Sequence, residues 1–238
     1  MAHLELRDLS VRLGDPPRTV LNGVTLGCSP GSLTLVLGAN GSGKSVLLRA
    51  LLGLLPATGT VSVDGTVLGS DRRAFYADTG VCFQNPDLQI FGDTVLEDIA
   101  LAVDPTGGSH PAEVETILGR FDLSGLENEI PWTLSGGQRR RLALAGAFAG
   151  TPRVLALDEP FLELDYPNLR RVVEALSAFR SAGGTAVVAS HETRDIWEIA
   201  DQVLVLHNGE PVYCGPPGEA AAYVDPRYGL RPLEPASW

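Results

Sequence analysis

Lysine is almost missing from this chain. Of its 18 basic residues, 17 are arginine, and Lys44 is the one lysine among 238 residues. Arginine and lysine are not interchangeable, so a composition that avoids lysine and keeps one marks that position as special. Cysteine is scarce as well. Cys28, Cys82 and Cys214 lie far apart in sequence, which excludes a disulfide framework and suits buried thiols in a reducing compartment. Long apolar runs are lacking, since Arg49 interrupts the best candidate at residues 46–55, well short of the ~18 residues that span a bilayer. The opening MAHLELRDLS alternates charged and apolar residues and has no secretory signal pattern. Positive charge is also lacking. Eighteen basic against 29 acidic residues leave a net charge of −11, which argues against nucleic-acid binding through phosphate neutralisation. No internal repeat or low-complexity segment appears.

What is present is an ordinary apolar fraction of 44% and a pattern of alternating element types. Residues 3–13 and 19–28 alternate as strands do. Residues 33–37 (LTLVL) form a continuous apolar run, expected of a strand buried on both faces. A helix is predicted over 46–56, stopped at Pro56, and a hairpin over 60–68 around Asp64-Gly65. A short strand follows at 80–83. From Pro86 to about Gly150 the pattern turns helical, with candidate helices at 95–102, 111–120 and 138–149. Strands return at 153–157, 185–189 and 202–206, with helices at 167–182 and 192–200 between them. This order reads as a parallel sheet with crossover helices, into which a helical stretch is inserted. The expected organisation is one domain over 1–223. Its core comprises 1–84 and 151–223, its helical part 85–150, and a proline-containing tail, expected to be loosely structured, covers 224–238.

Residues 38–45 read GANGSGKS, which fits the phosphate-binding loop G-x-x-x-x-G-K-[S/T]. A buried strand precedes it and a helix follows. The glycines let successive backbone N–H groups curl toward phosphate oxygens, and the helix N-terminus adds its positive dipole end. Gly38, Ala39, Asn40, Gly41, Ser42 and Gly43 are therefore expected to cradle the phosphates. Lys44 should reach the β- and γ-phosphates, and the Ser45 hydroxyl should bind Mg²⁺. A nucleoside triphosphate is the implied ligand.

Residues 154–160 read VLALDEP and place Asp158 and Glu159 at the C-terminal end of a buried strand, the edge where ligands sit in parallel sheets. Asp158 suits the outer shell of Mg²⁺, and Glu159 suits the base that polarises an attacking water. Residues 134–138 read LSGGQ and lead into RRRLALAGAFA, making a second helix N-terminus able to hold phosphate. One chain needs one such cradle for its own γ-phosphate, so two suggest that each serves a different subunit. Arg139, Arg140 and Arg141 read as a solvated helix face.

GANGSGKS, LSGGQ, LALDEP and an isolated His191 stand in the order found in the ATP-binding cassette (ABC) ATPases, and nearly the whole chain resembles that family. The resemblance implies an α/β P-loop fold with an antiparallel β portion, a mostly parallel catalytic sheet and an inserted helical subdomain. It implies hydrolysis of ATP to ADP and phosphate with Mg²⁺. It further implies two subunits packed head to tail, so that Ser135, Gly136, Gly137 and Gln138 contact ATP held by the partner's phosphate loop. By the same resemblance Asp165 is a subunit contact, although Phe161 and Tyr166 depart from the usual residues beside it. His191 matches the switch histidine that hydrogen-bonds the γ-phosphate. Gln84 matches the glutamine that senses Mg²⁺ and attacking water. Leu13 stands where similar ATPases stack an aromatic residue on adenine.

The stretch QNPDLQIFGDTVLEDI at 84–99 is similar to a pattern of the energy-coupling factor ATPases, which belong to importers of vitamins and of cobalt or nickel ions. That branch implies a transmembrane coupling protein and a small integral substrate-binding protein as partners, a homodimer or a heterodimer with a paralogous ATPase, and a peripheral place at the cytoplasmic face of the membrane. Ile90 and Phe91 are expected to line a groove for the partner's coupling helix. LSGGQ and His191 argue against a P-loop kinase or GTPase acting on a soluble substrate, and no guanine-reading N-K-x-D follows, since the single lysine is Lys44. DNA-repair and translation ATPases of this family carry coiled coils or tandem cassettes, which this acidic chain lacks. An exporter or lipoprotein-releasing ATPase is the nearest alternative.

Overall fold

The computed structural model describes residues 2–69, 72–191 and 194–231. Among the described residues, ten strands fall into two sheets. The first is antiparallel. Strand β1 (Leu4–Leu13) lies between β2 (Arg18–Cys28) and β4 (Thr58–Val63), and β5 (Thr66–Val67) closes the edge. The second sheet has six strands, in the order β10 (Glu210–Gly215), β9 (Gln202–His207), β3 (Leu33–Leu37), β8 (Thr185–Ala189), β7 (Val154–Asp158), β6 (Thr79–Cys82). Its neighbours run parallel except for β10 against β9.

The apolar runs explain the layering. Every residue of β3, β7 and β8 is buried, as sheets covered on both faces require. Alternate side chains then feed two cores. Leu35, Leu155, Val188 and Val203 face one, which contains the helical insert and α6 (Tyr166–Ser181). Val36, Ala156, Val187 and Leu204 face the other, together with the antiparallel sheet and α1 (Lys44–Leu51).

Helix α1 ends earlier than Pro56 suggests. Gly53 takes φ 65, its N–H bonds Ala50 O, and Leu54 N–H bonds Arg49 O. Those two bonds make a Schellman stop before the proline is reached. The insert carries α3 (Val95–Val103), α4 (Pro111–Arg120) and α5 (Gly136–Phe148). Helix α5 starts two residues before its expected onset because Ser135 and Gln138 form a reciprocal capping box. A short helix α2 (Arg72–Ala77) precedes β6. Of the expected helix at 192–200, α7 covers Arg194–Trp197, and residues 192 and 193 lie outside the described residues.

Two differences bear on function. Strand β10 was not expected, and the hairpin it forms with β9 is followed by α8 (Pro217–Ala220). Residues 224–231 are packed rather than loose. Val224 and Leu230 are buried in the helical-side core, and a one-turn 3₁₀ helix spans Pro226–Tyr228. Residues 232–238 of the expected tail lie outside the described residues.

Candidate active site

The phosphate loop joins the end of β3 to α1. Gly38, Gly41 and Gly43 have φ of 158, 81 and 106, and at 81 and 106 a side chain would be strained. An added Cβ on Gly38 would also strike Ser42 and the Leu206 carbonyl. Lys44 is buried, and its ammonium donates to Gly38 O at 2.7 Å and Ala39 O at 3.3 Å. Burial pulls the Lys44 pKa below its usual value, while the charges of Glu159 and Asp158 oppose that shift.

Three strand ends bring the other groups to this loop. Strand β7 delivers Asp158 and Glu159, β8 leads to His191, and β6 leads to Gln84. Burial raises the Asp158 pKa above the ordinary carboxylate value, against a hydrogen bond from Ser45. Its Oδ1 is buried with no hydrogen-bond partner. An orphaned carboxylate oxygen beside a serine hydroxyl suits the surroundings of a small hydrated cation. Among the described residues no cluster of three or more His, Cys, Asp or Glu forms a cage of its own, so most ligands to such a cation would come from phosphates and water.

Glu159 is buried and sits at φ 51, an unfavourable backbone conformation for a glutamate that marks a constrained functional position. Its Oε2 is 2.7 Å from His191 Nδ1 and accepts from the His191 backbone N–H at 3.2 Å. Its Oε1 is 4.0 Å from Lys44 Nζ. His191, expected to meet a phosphate, thus pairs with Glu159 in this structure. A cavity of about 390 Å³ lies between Lys44, Ser45, Gln84 and Glu159. A second, of about 440 Å³, lies between Ala39, Gln84, Glu159 and His191.

Val20, which sequence reasoning missed, lines the first cavity, and its carbonyl backs Gly43. Leu13 pairs with Arg18 at the tip of the β1–β2 hairpin and is half-buried against the antiparallel-side core. It is not among the residues lining either cavity.

The expected solvated arginine face is corrected. Arg140 is 1% exposed. It donates to Phe83 O at 2.8 Å and to Gln84 O, tying α5 to the strand end that carries Gln84. Arg141 is also buried; it pairs with Asp122 and donates to Asn168 Oδ1 at 2.9 Å. Asn168 in turn donates to Asp165, the N-cap of α6. Only Arg139 remains half-exposed, 3.7 Å from Asp87. Charge alone hid these burials, because the partners lie 56 and 27 residues away in sequence.

The QNPDLQ stretch also has local reasons. Asn85 caps the 3₁₀ turn at Pro86–Leu88. Gln89 accepts from Phe83 N–H and donates to Val81 O and Ala143 O, a second tie between β6 and α5. Asp98 accepts from the Phe91 and Gly92 N–H groups. Ile90 is buried, contrary to its expected place on a groove, whereas Phe91 is 79% exposed. Phe91 edges a shallow cavity of about 370 Å³ with Leu101, Pro105 and Leu142.

A family pattern described as ABC transporter matches residues 21–162. An energy-coupling factor transporter ATP-binding protein, EcfA2 of Symbiobacterium thermophilum, is 40% identical over 210 residues, 85% of this chain and 73% of that protein. A Halobacterium salinarum chain, named no further than a candidate ABC transporter ATP-binding protein, is 39% identical over 233 residues, 96% of this chain and 99% of that one. Among solved structures, cbiO1 of Clostridium perfringens, part of the ABC transporter complex cbiONQ, superposes with a TM-score of 0.76 at 28% identity, covering 92% of this chain and 90% of that one. With the phosphate loop, the buried lysine and the acid pair drawn to one sheet edge, these likenesses lead to one conclusion: the chain belongs to the ABC transporter family, as an ATP-binding subunit that hydrolyses ATP.

Proposed function

We propose that the chain is the ATPase of an importer of the energy-coupling factor type, working with a second ATPase subunit, a copy of itself or a paralogue. In this reading Gly38 to Ser45 hold the ATP phosphates through backbone N–H groups, and Lys44 leaves the Gly38 and Ala39 carbonyls for the β- and γ-phosphates. Mg²⁺, when bound, neutralises phosphate charge; Ser45 and Gln84 would hold it directly and Asp158 through water. Glu159 accepts the proton of the attacking water as its oxygen bonds the γ-phosphorus and the bridging P–O bond to ADP breaks. His191 keeps the Glu159 carboxylate aimed until the γ-phosphate draws it away. Leu13 would cover the adenine face.

Ser135, Gly136, Gly137 and Gln138 would then face ATP held by the partner, with Asp165 at the contact. Exposed Leu162 and Tyr166 beside Asp165 support an interface there. Phe91 and its shallow cavity support docking of a transmembrane coupling protein, which would also carry a small integral substrate-binding protein. No helix among the described residues is long and apolar enough to cross a membrane, so attachment at the cytoplasmic face would run through that partner. The names of the relatives support the importer branch.

The observation that carries the catalytic reading is Glu159, buried and held between His191 and Lys44 at the rim of the phosphate loop. Glu159→Gln keeps the shape and removes proton acceptance. It should slow turnover by about 10²–10⁴-fold while ATP binding persists. Steady-state hydrolysis near the wild-type rate would defeat the assignment.

A further inference from the structure

The chain beyond α8 returns to the nucleotide site. Strand β10 and the segment after it are joined by a ladder of rings. Tyr213 stacks on Tyr223 at 4.7 Å between centroids, Tyr223 on Tyr228 at 6.2 Å, and Tyr228 meets His207 edge-on at 5.5 Å. Asp225 caps the Pro226–Tyr228 turn, and Leu230 N–H bonds the Asp225 carbonyl. Val224 and Leu230 bury their side chains on either side of that turn. The segment is therefore held by the buried Val224 and Leu230 and by the Tyr228 ring between them.

Its closest approach is to the phosphate loop. Gly229 sits at φ 69, and a Cβ placed on it would stand 2.7 Å from the Ala39 Cβ. Gly229, Leu230 and Arg231 share the 440 Å³ cavity with Gln84, Glu159 and His191. Ala39, which the segment backs, supplies one of the two carbonyls on which the Lys44 ammonium rests, and Gly38 supplies the other.

We propose that residues Asp225–Arg231 are a strap that positions the phosphate loop and completes the wall of the cavity lined by Gln84, Glu159 and His191, with Gly229 as its positioning residue and Arg231 as a cationic edge. The inference rests on the reading of residues 38–45 as the ATP site. Running from the His207 ring through Tyr228 and Gly229 to Ala39, the strap fixes where the Lys44 perch lies before nucleotide arrives. Because the cavity it walls contains the hydrolytic residues, the strap acts more on the γ-phosphate end than on the rest of ATP. It thus favours ATP over ADP.

The test measures ATP and ADP binding by titration, with thermal unfolding alongside. Gly229→Ala should weaken ATP binding by about 5- to 10-fold, because the added methyl overlaps Ala39. Adding Ala39→Gly removes the opposing methyl. The double variant should return to within about twofold of Ala39→Gly alone, while the loss of melting temperature from a non-glycine at positive φ persists. A purely structural role predicts the opposite split, with stability lost and affinity kept, and that result overturns the proposal. So does a double variant that binds no better than Gly229→Ala. If Gly229→Ala fails to fold, the exposed arginines decide. Arg231→Glu and Arg120→Glu change the net charge equally, but only Arg231 lines the cavity, and Arg120 stands exposed at the end of α4, outside the strap. Arg231→Glu should lower ATP affinity by about 3- to 10-fold more than Arg120→Glu, with a smaller effect on ADP. Equal effects overturn the proposal. Lys44→Ala separates the two readings. If it binds ATP like wild type, the site assignment itself fails. If it loses ATP while the strap variants bind normally, only the strap fails.

Discussion

Arg140 and Arg139 are neighbours in sequence with opposite expected sensitivities. Replacing Arg140 by Met keeps an unbranched apolar stem of similar length and removes the guanidinium. The Phe83 and Gln84 carbonyls then lose their donor. A hydrogen bond from a charged donor contributes about 1.5–3 kcal/mol, so the gross loss is about 3–6 kcal/mol. Against it stands relief of the cost of burying a cation, which includes an Nε without a partner and amounts to a few kcal/mol. The net expectation is a destabilisation of about 1–3 kcal/mol. For a chain of 238 residues that lowers the melting temperature by roughly 2–4 °C per kcal/mol. Because Gln84 sits on the released segment, kcat should fall more than ATP affinity. Arg139→Met removes a half-exposed side chain 3.7 Å from Asp87 and should change stability by less than about 1 kcal/mol. Calorimetric melting and steady-state ATPase of the two variants provide the comparison. Matching curves and rates would refute the view that Arg140 holds the Gln84 segment.

Two further outcomes follow from the geometry. Because burial raises the Asp158 pKa above its unfolded value, the native state binds more protons than the unfolded one between those two values, and this group's contribution to stability falls as pH rises through that window. Asp158→Asn should therefore raise the melting temperature at pH 7 while abolishing hydrolysis, and the gain should shrink as pH falls toward 3.8; melting curves taken across pH check it. Gly53→Ala places a Cβ 2.9 Å from Leu68 Cδ2 at a residue with φ 65. It should cost about 1–2 kcal/mol in urea unfolding with ATP affinity unchanged.

The parts of the site that sequence exposes are those written in consecutive residues. GANGSGKS, LSGGQ and LALDEP each form a single loop with its flanking strand or helix, so spacing and local chemistry suffice. The buried runs of β3, β7 and β8 were legible because sheets covered on both faces leave no polar alternation. What stayed hidden depends on partners remote in sequence. Strand β10 carries Pro211 beside a register shift on the sheet edge, where proline is tolerated but the strand pattern is lost. Arg140 reads as surface until the carbonyls it donates to are in view. The strap looks like a proline-rich tail because its anchors, Tyr213 and His207, belong to the β9–β10 hairpin that sequence reasoning had not completed. Val20 lines the phosphate cavity through a position in the antiparallel sheet that no phosphate-binding pattern includes.

The central claim is that one ATP is worked on by the phosphate loop of one subunit and the LSGGQ stretch of another. Ser135→Arg blocks the LSGGQ stretch at the N-cap of α5 and leaves the phosphate loop intact; Lys44→Ala does the reverse. Each alone should be inactive. Mixed in equal amounts, two copies pairing at random put one whole composite site in half of the dimers, which should restore about a quarter of wild-type ATPase activity. Ser135→Arg should still bind ATP as wild type does. Mixtures that stay as inactive as either parent at every ratio, with ATP binding of Ser135→Arg intact, would contradict the shared site.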